Sequence, residues 1–345
     1  MHKPLLSFVI PCYRSAHTIG AVVRELEETL AKRKSEFDHE VILVNDGSPD
    51  NTSEVATELC KRYPSIVFVD LSRNFGQHSA LMAGFHQVQG EIIVCLDDDG
   101  QTPADECFKL IDKVLEGNDI VFAEYGKRKQ NAFRNLGSRF NAACNHFFFN
   151  QPKGLSTNSY FACRRFVVDS ALQYPNPFPY VTGLLFQSVS RYANVSVTHR
   201  ARMEGESGYS LKKLIALWAN GVTAFSIKPL RLANYVGWLT AIGGFIFALV
   251  TIISKLMNPN MQAGWASTLA VLLILGGVII ALIGIVGEYV GRIYLSINRY
   301  PQFVVRNVVR TNAEEPKKEP LSAMAAQSGV KEKRADANAT RDLGA

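Results

Sequence analysis

Three consecutive carboxylates, Asp97, Asp98 and Asp99, followed by Gly100 and Gln101, are the residues in this chain best suited to chemistry. Adjacent Asp side chains repel one another unless a cation or hydrogen-bond donors compensate them. In an extended segment Asp97 and Asp99 point one way and Asp98 the other. Asp97 and Asp99 then form a hard-oxygen pair suited to Mg2+ or Mn2+, and Gln101 can add a carbonyl oxygen. Magnesium bound by few protein ligands usually completes its shell from substrate phosphates and water. A plainer reading of the same residues is a polar turn after a core strand, and the surrounding elements bear on the choice.

The run Glu91-Ile-Ile-Val-Cys-Leu96 that delivers the carboxylates is rich in β-branched residues and reads as a buried strand of a parallel sheet. Leu5 to Tyr13 reads as a first strand, ended by Pro11, and Glu40 to Asn45 as a second, ended by the turn signal Asp46-Gly47-Ser48-Pro49-Asp50. Ile66 to Leu71 and Asp119 to Ala123 read as further strands. Helical spacing of apolar residues fills the gaps at 18–34, 52–63, 77–88 and 103–116. Such alternation implies a parallel α/β sheet with right-handed crossovers. Open sheets of this kind bind ligands at the carboxyl ends of their strands, where Tyr13, Asp46 and the Asp triplet fall. No Gly-x-Gly-x-x-Gly follows the first strand and no P-loop is present, so dinucleotide binding is unsupported and a P-loop enzyme is excluded. A nucleotide-binding sheet without glycine-rich phosphate loops needs another neutraliser, and a carboxylate-held divalent metal supplies it.

The chain has 345 residues, 47% of them hydrophobic and 20% charged, with a formal charge of +6. That charge is too mild to argue for nucleic acid. Cys12, Cys60, Cys95, Cys107, Cys144 and Cys163 are scattered singly, so they read as reduced core thiols of a cytosolic domain. Met1-His-Lys-Pro4 leads straight into a strand, with no signal peptide expected. Lys127, Arg128, Lys129, Arg134 and Arg139 form a basic stretch in which Arg134, Ser138 and Arg139 share a broad helix face. Arg donates two parallel bonds to phosphate, although for a lone basic cluster a solvated helix face is the favoured reading. The stretch from Arg202 to Lys213, with Ser207 and Tyr209, suits phosphate or lipid-headgroup contact, or else a surface loop capping a helix.

No charged residue lies between Arg231 and Lys255, nor between Lys255 and Glu288. Each interval accommodates a membrane-spanning helix of ~20 residues. Lys228, Arg231, Arg292, Arg299 and Arg306 flank the outer ends while the turn lacks Lys and Arg, so the positive-inside rule places both chain ends in the cytoplasm. The expected organisation is a catalytic domain at 1–210, an amphipathic juxtamembrane segment at 211–230 and a hairpin at 231–298 with spans near 232–254 and 265–287. A cytoplasmic return segment at 299–310, read as a short strand or an interfacial piece, and a disordered tail at 311–345 complete it.

Seven motifs in order carry a family resemblance: Phe8-Val-Ile-Pro-Cys-Tyr13, Val44-Asn-Asp-Gly-Ser48, Arg73-Asn-Phe-Gly-Gln-His-Ser-Ala80, Asp97-Asp-Asp-Gly-Gln101, Gly205-Glu-Ser-Gly-Tyr-Ser210, Lys228-Pro-Leu-Arg231 and Gly287-Glu-Tyr-Val-Gly-Arg-Ile-Tyr294. The chain resembles inverting family-2 glycosyltransferases of the polyprenyl-phosphate type, and the stretch from Arg73 to Ala80 looks closest to the formamido-arabinose transferases. The resemblance implies a GT-A fold with a mostly parallel sheet, followed by a two-helix transmembrane hairpin in the bacterial inner membrane. It implies that Pro11, Tyr13, Asp46, Asp97 and Asp98 hold the nucleotide sugar, and that Asp97, Asp99 and Gln101 hold Mg2+ or Mn2+. Arg128, Arg134, Ser138 and Arg139 would meet phosphates, joined by Arg202, Ser207 and Tyr209 near the membrane. The implied partners are a nucleotide sugar donor, read as UDP-linked, a polyprenyl phosphate acceptor and the bilayer, with no nucleic acid and the oligomeric state left open.

Three departures stand out. The family's first motif usually continues Tyr-Asn-Glu, whereas this chain has Tyr13-Arg14-Ser15; the metal motif usually reads Asp-Ala-Asp, whereas Asp98 replaces the Ala; and Leu155 to Tyr160 lacks the common Gly-Asp. A processive polysaccharide synthase is disfavoured because Trp218, Trp238 and Trp265 follow no Arg. A non-catalytic membrane scaffold or lipid-phosphate binder on a degenerate transferase domain is the alternative of another class.

Overall fold

A computed structural model describes residues 3–125, 155–198, 200, 228–257 and 264–311. Strands and helices alternate through the first part: β1 (Leu5–Cys12), α1 (Ile19–Ala31), β2 (Asp38–Asn45), α2 (Thr52–Arg62), β3 (Ile66–Leu71), α3 (Gln77–Phe85), β4 (Ile92–Cys95), α4 (Cys107–Leu115) and β5 (Ile120–Tyr125). Then come β6 (Phe161–Arg164), α5 (Arg165–Leu172), α6 (Val181–Phe186) and β7 (Tyr192–Val197). Two long helices, α7 (Lys228–Met257) and α8 (Trp265–Ile297), and a last strand, β8 (Val305–Arg310), follow.

The eight strands among the described residues form one sheet in the order β7-β5-β6-β4-β1-β2-β3-β8. β1 pairs in parallel with β2 and β4, and β2 with β3. β6 runs antiparallel to both β4 and β5, so it sits between two strands that share a direction. Period-two alternation sends successive side chains to opposite faces. Phe8 and Ile10 pack with Val23 and Leu26 of α1 and Leu110 of α4, while Val9 packs with Met82 of α3 and Val168 of α5. Each such side chain contributes about 1.5–3 kcal/mol on burial. α3 approaches the sheet so closely at Gly84 that a Cβ there would meet Val9 Cγ1 at 2.5 Å, so Gly84→Ala would force the helix off β1.

β1 does not end at Pro11, as the sequence suggested, but continues to Cys12. Leu96 N donates to Val9 O on the β4 side, and Asp46 N donates to Cys12 O on the β2 side. Pro11 therefore faces the β4 side two residues beyond Val9, the last β1 residue with a β4 partner. Its missing N–H leaves no ladder bond unmade. Cys12, Cys60, Cys95, Cys107 and Cys163 are free and buried, as expected of core thiols.

α7 and α8 contain two stretches long and apolar enough to cross a membrane, Lys228–Ser254 and Ile274–Ile297, with mean hydropathies of 2.2 and 2.1. Many of their described apolar side chains are exposed, Phe245 by 71% and Ile280 by 73%, which is a surface that lipid rather than water would cover. After α8 the chain returns to the sheet. The stretch read as a strand or interfacial piece forms β8, antiparallel to β3. Gln302 Nε2 donates to Tyr174 O at 2.6 Å, and Arg306 Nη2 donates to Ser72 O at 2.8 Å, fixing the return.

Candidate active site at the carboxyl edge of the sheet

β4 is short, ending at Cys95, so the Asp triplet lies on the turn beyond it. Gly100 takes φ +73°, a conformation that glycine adopts without strain, and turns the chain back toward α4. The triplet nevertheless divides as the extended-chain argument expected. Asp97 Oδ1 accepts from Gln77 Nε2 at 3.2 Å, and its Oδ2 accepts from the Ser159 hydroxyl. Asp99 Oδ1 accepts from the Gln101 amide at 2.9 Å, which places Gln101 in the same turn. Tyr125, at the end of β5, feels both carboxylates: burial first, then the charges of Asp97 and Asp99, push its phenol upward.

Asp98 points the other way, toward β1. Its Oδ2 accepts from the Tyr13 amide at 3.0 Å and from the Ser15 hydroxyl. Burial is the main influence on the Asp98 carboxyl and pushes it up, against these two hydrogen bonds. The turn after β1 is held residue by residue. Arg14 N donates to Ser48 Oγ at 3.1 Å, Ser15 N to Thr52 Oγ1 at 3.0 Å and Ala16 N to Asp50 Oδ2 at 3.4 Å. Arg14 takes φ +59°, a left-handed conformation unusual for a side-chain-bearing residue, and the four side-chain acceptors stabilise it there. The result presents Tyr13, 44% exposed, at the rim, with the Arg14 guanidinium 5.6 Å from its ring centroid.

Pro11 is buried inside β1 beneath this rim. Asp46 is 3% exposed. Its Oδ1 accepts from the Phe75 amide at 2.7 Å and its Oδ2 from the Gly76 amide at 2.9 Å, so its carboxylate organises the loop that leads into α3. Burial pushes the Asp46 carboxyl up, and these two amides oppose that shift. Gly47 makes the approach feasible: it has φ +59°, and a Cβ there would lie 2.3 Å from the Arg73 carbonyl carbon. Arg128, Arg134, Ser138, Arg139, Arg202, Ser207 and Tyr209 lie outside the described residues.

The structure thus brings together Tyr13, Asp97, Asp98, Asp99 and Gln101, and turns Asp46 toward the backbone. Gln77, Tyr125 and Ser159 join the site without having been singled out as site residues. Gln77 sits in a motif that the sequence did flag, but nothing local marks Ser159, 62 residues from Asp97. Among the described residues no three His, Cys, Asp or Glu side chains converge as a metal cluster. The half-buried carboxylates of Asp97 and Asp99 still suit a hard divalent cation that takes its remaining ligands from substrate oxygens and water.

The chain combines an open α/β sheet carrying carboxylates at its carboxyl edge with two apolar helices later in the sequence, and comparison with known proteins places that combination among the glycosyltransferases. Residues 7–173 match glycosyl transferase family 2, and residues 228–293 match the GtrB C-terminal hairpin. The chain is 34% identical over 311 residues, 88% of its length and 94% of the relative's, to undecaprenyl-phosphate 4-deoxy-4-formamido-L-arabinose transferase of Serratia proteamaculans (strain 568). It is 31% identical over 307 residues, 87% of its length and 93% of the relative's, to YkcC, an uncharacterized glycosyltransferase of Bacillus subtilis (strain 168). The chain belongs to glycosyl transferase family 2, with a GT-A fold and a C-terminal hairpin.

Proposed function

We propose that this protein transfers a sugar from a nucleotide sugar, UDP-linked, to polyprenyl phosphate, in bacteria undecaprenyl phosphate, at the cytoplasmic face of the inner membrane. The observation that carries the reading is the match to undecaprenyl-phosphate transferases along nearly the whole chain, hairpin included. The charge flanking the hairpin supports a cytoplasmic catalytic domain and two spans.

The acceptor phosphate is already anionic at neutral pH, since its second pKa lies near ~6 by analogy with phosphoserine. It needs no strong general base, and its approach to a donor diphosphate is instead opposed by like charge. Asp97 and Asp99 would hold Mg2+ or Mn2+, which when bound supplies charge neutralisation for the leaving diphosphate. Gln77 and Ser159 orient the Asp97 carboxylate, and the Gln101 amide orients Asp99. Tyr13 and the turn behind it offer a rim for the nucleotide. Arg128, Arg134 and Arg139 would neutralise the incoming phosphate. In-line attack by the lipid phosphate oxygen on the anomeric carbon inverts configuration, so an α-linked donor yields a β-linked lipid phosphosugar. The hairpin raises the effective concentration of the headgroup at the site.

Membranes carrying the protein, incubated with undecaprenyl phosphate and a panel of nucleotide sugars, test this through the lipid masses formed. The expected product is lipid phosphate heavier by one sugar unit from one UDP-linked donor. No sugar-bearing lipid from any donor in the panel would favour the scaffold alternative.

A further inference from the structure

Two of the three departures from the family pattern meet in space. The motifs that the chain resembles usually place a Glu at position 15 and an Ala at position 98; this chain has Ser15 and Asp98. The Ser15 hydroxyl donates to Asp98 Oδ2, across 83 residues of sequence. The same oxygen accepts the Tyr13 amide at 3.0 Å. We propose that Asp98 and Ser15 form a positioning latch, in which the turn bearing Asp97 and Asp99 supplies the carboxylate that the turn after β1 lacks. This rests on the reading of the site given above and adds a role for the middle Asp that is neither metal ligation nor phosphate contact.

The geometry of the β1 turn shows what the Asp98 carboxylate holds. Of the four consecutive amides from Tyr13 to Ala16, three are held by Ser48, Thr52 and Asp50 of the segment after β2. Only the Tyr13 amide is held from the β4 side, by Asp98. Asp98 is therefore the side chain that ties the Tyr13 rim to the Asp97 and Asp99 carboxylates, so that the two halves of the donor site keep one spacing. Ser15 is 2% exposed, which leaves room for a hydroxyl beside Asp98 but sets a second carboxylate directly against the first. Two adjacent buried carboxylates repel, so positions 15 and 98 tolerate one acidic side chain between them.

The test is an exchange series on the full-length protein in membranes, with the nucleotide sugar identified by the panel as donor. Asp98→Ala is expected to raise KM for the donor at least tenfold with kcat within threefold of the parent. Ser15→Glu alone is expected to do the same, through repulsion. The double variant Ser15→Glu, Asp98→Ala is expected to return KM to within threefold of the parent. A merely structural contribution would not produce that rescue. A double variant no better than Asp98→Ala, or an Asp98→Ala variant with unchanged KM, overturns the latch. If the parent protein transfers no sugar at all, the functional reading fails, and the latch is judged by thermal unfolding in detergent. There, Ser15→Ala and Asp98→Ala are expected to shift the midpoint non-additively, and additive shifts overturn it.

Discussion

Asp46 Oδ2 lies 2.9 Å from the Gly76 amide nitrogen, while its Oδ1 takes the Phe75 amide at 2.7 Å. One carboxylate at the end of β2 thus fixes the loop that precedes α3, and α3 in turn begins with Gln77, the donor to Asp97. Asp46→Ala leaves two half-buried amides without their carboxylate acceptor. The expected cost is about 2–5 kcal/mol of stability, read as a lower unfolding midpoint in detergent. Transfer should fall with it, because Gln77 loses its fixed start. A variant as stable as the parent would show that the loop finds other acceptors.

Asp99→Ala is expected to lower transfer by at least a hundredfold while the protein stays folded and membrane-bound. Far-UV circular dichroism and membrane fractionation check the second half of that statement. Full activity of this variant in excess chelator would remove the carboxylate pair from the chemistry.

Arg306 Nη1 reaches Asp70 Oδ2 at 3.2 Å, and Asn45 Nδ2 reaches Asp70 Oδ1 at 2.8 Å. The Arg306 side chain is 61% exposed, so the pair itself is screened, and Arg306→Ala should cost no more than about 1 kcal/mol. Deleting β8 is a different matter, because it bares the backbone of β3. A chain ending at residue 299 is expected to aggregate on detergent extraction, and a chain ending at residue 311, which keeps β8, to stay monodisperse. Size-exclusion profiles of the two distinguish them, and equal behaviour would make β8 dispensable.

His78 supplies a pH dependence. Its Nδ1 is buried without a hydrogen-bond partner among the described residues, and its ring meets Tyr180 edge-on at 5.3 Å. Burial pushes the imidazole down to about 4 from its ordinary 6.5. The unfolded chain therefore takes up a proton that the folded chain refuses as pH falls through this window. The stability contributed by neutral His78 is complete above pH 6.5 and lost progressively toward pH 4, by about 3 kcal/mol at most. His78→Phe should flatten the pH dependence of unfolding across that interval, and an unchanged slope would assign it to other groups.

Local pattern sufficed for much of this molecule. Apolar runs marked the parallel strands, the uncharged intervals marked α7 and α8, and alternation separated Asp98 from Asp97 and Asp99. What escaped it depends on partners distant in the chain. β6 slips between β4 and β5 in the opposite direction, which no period within either strand encodes. Asp46 reads as a ligand at a strand end, yet its direction is set by the Phe75 and Gly76 amides 29 and 30 residues further on. The departures at Ser15 and Asp98 look independent along the chain and become one feature only when the turns after β1 and β4 are side by side.

One edge strand of the sheet, β8, is encoded after both apolar helices. During synthesis β1 to β7 leave the ribosome first, and β3 waits for its neighbour until α7 and α8 have also emerged. Completion of the sheet thereby waits until both apolar helices have been made. A chain cut short before β8 keeps an incomplete sheet with one edge of β3 bare, so the order of elements makes the last strand the closing step of the domain.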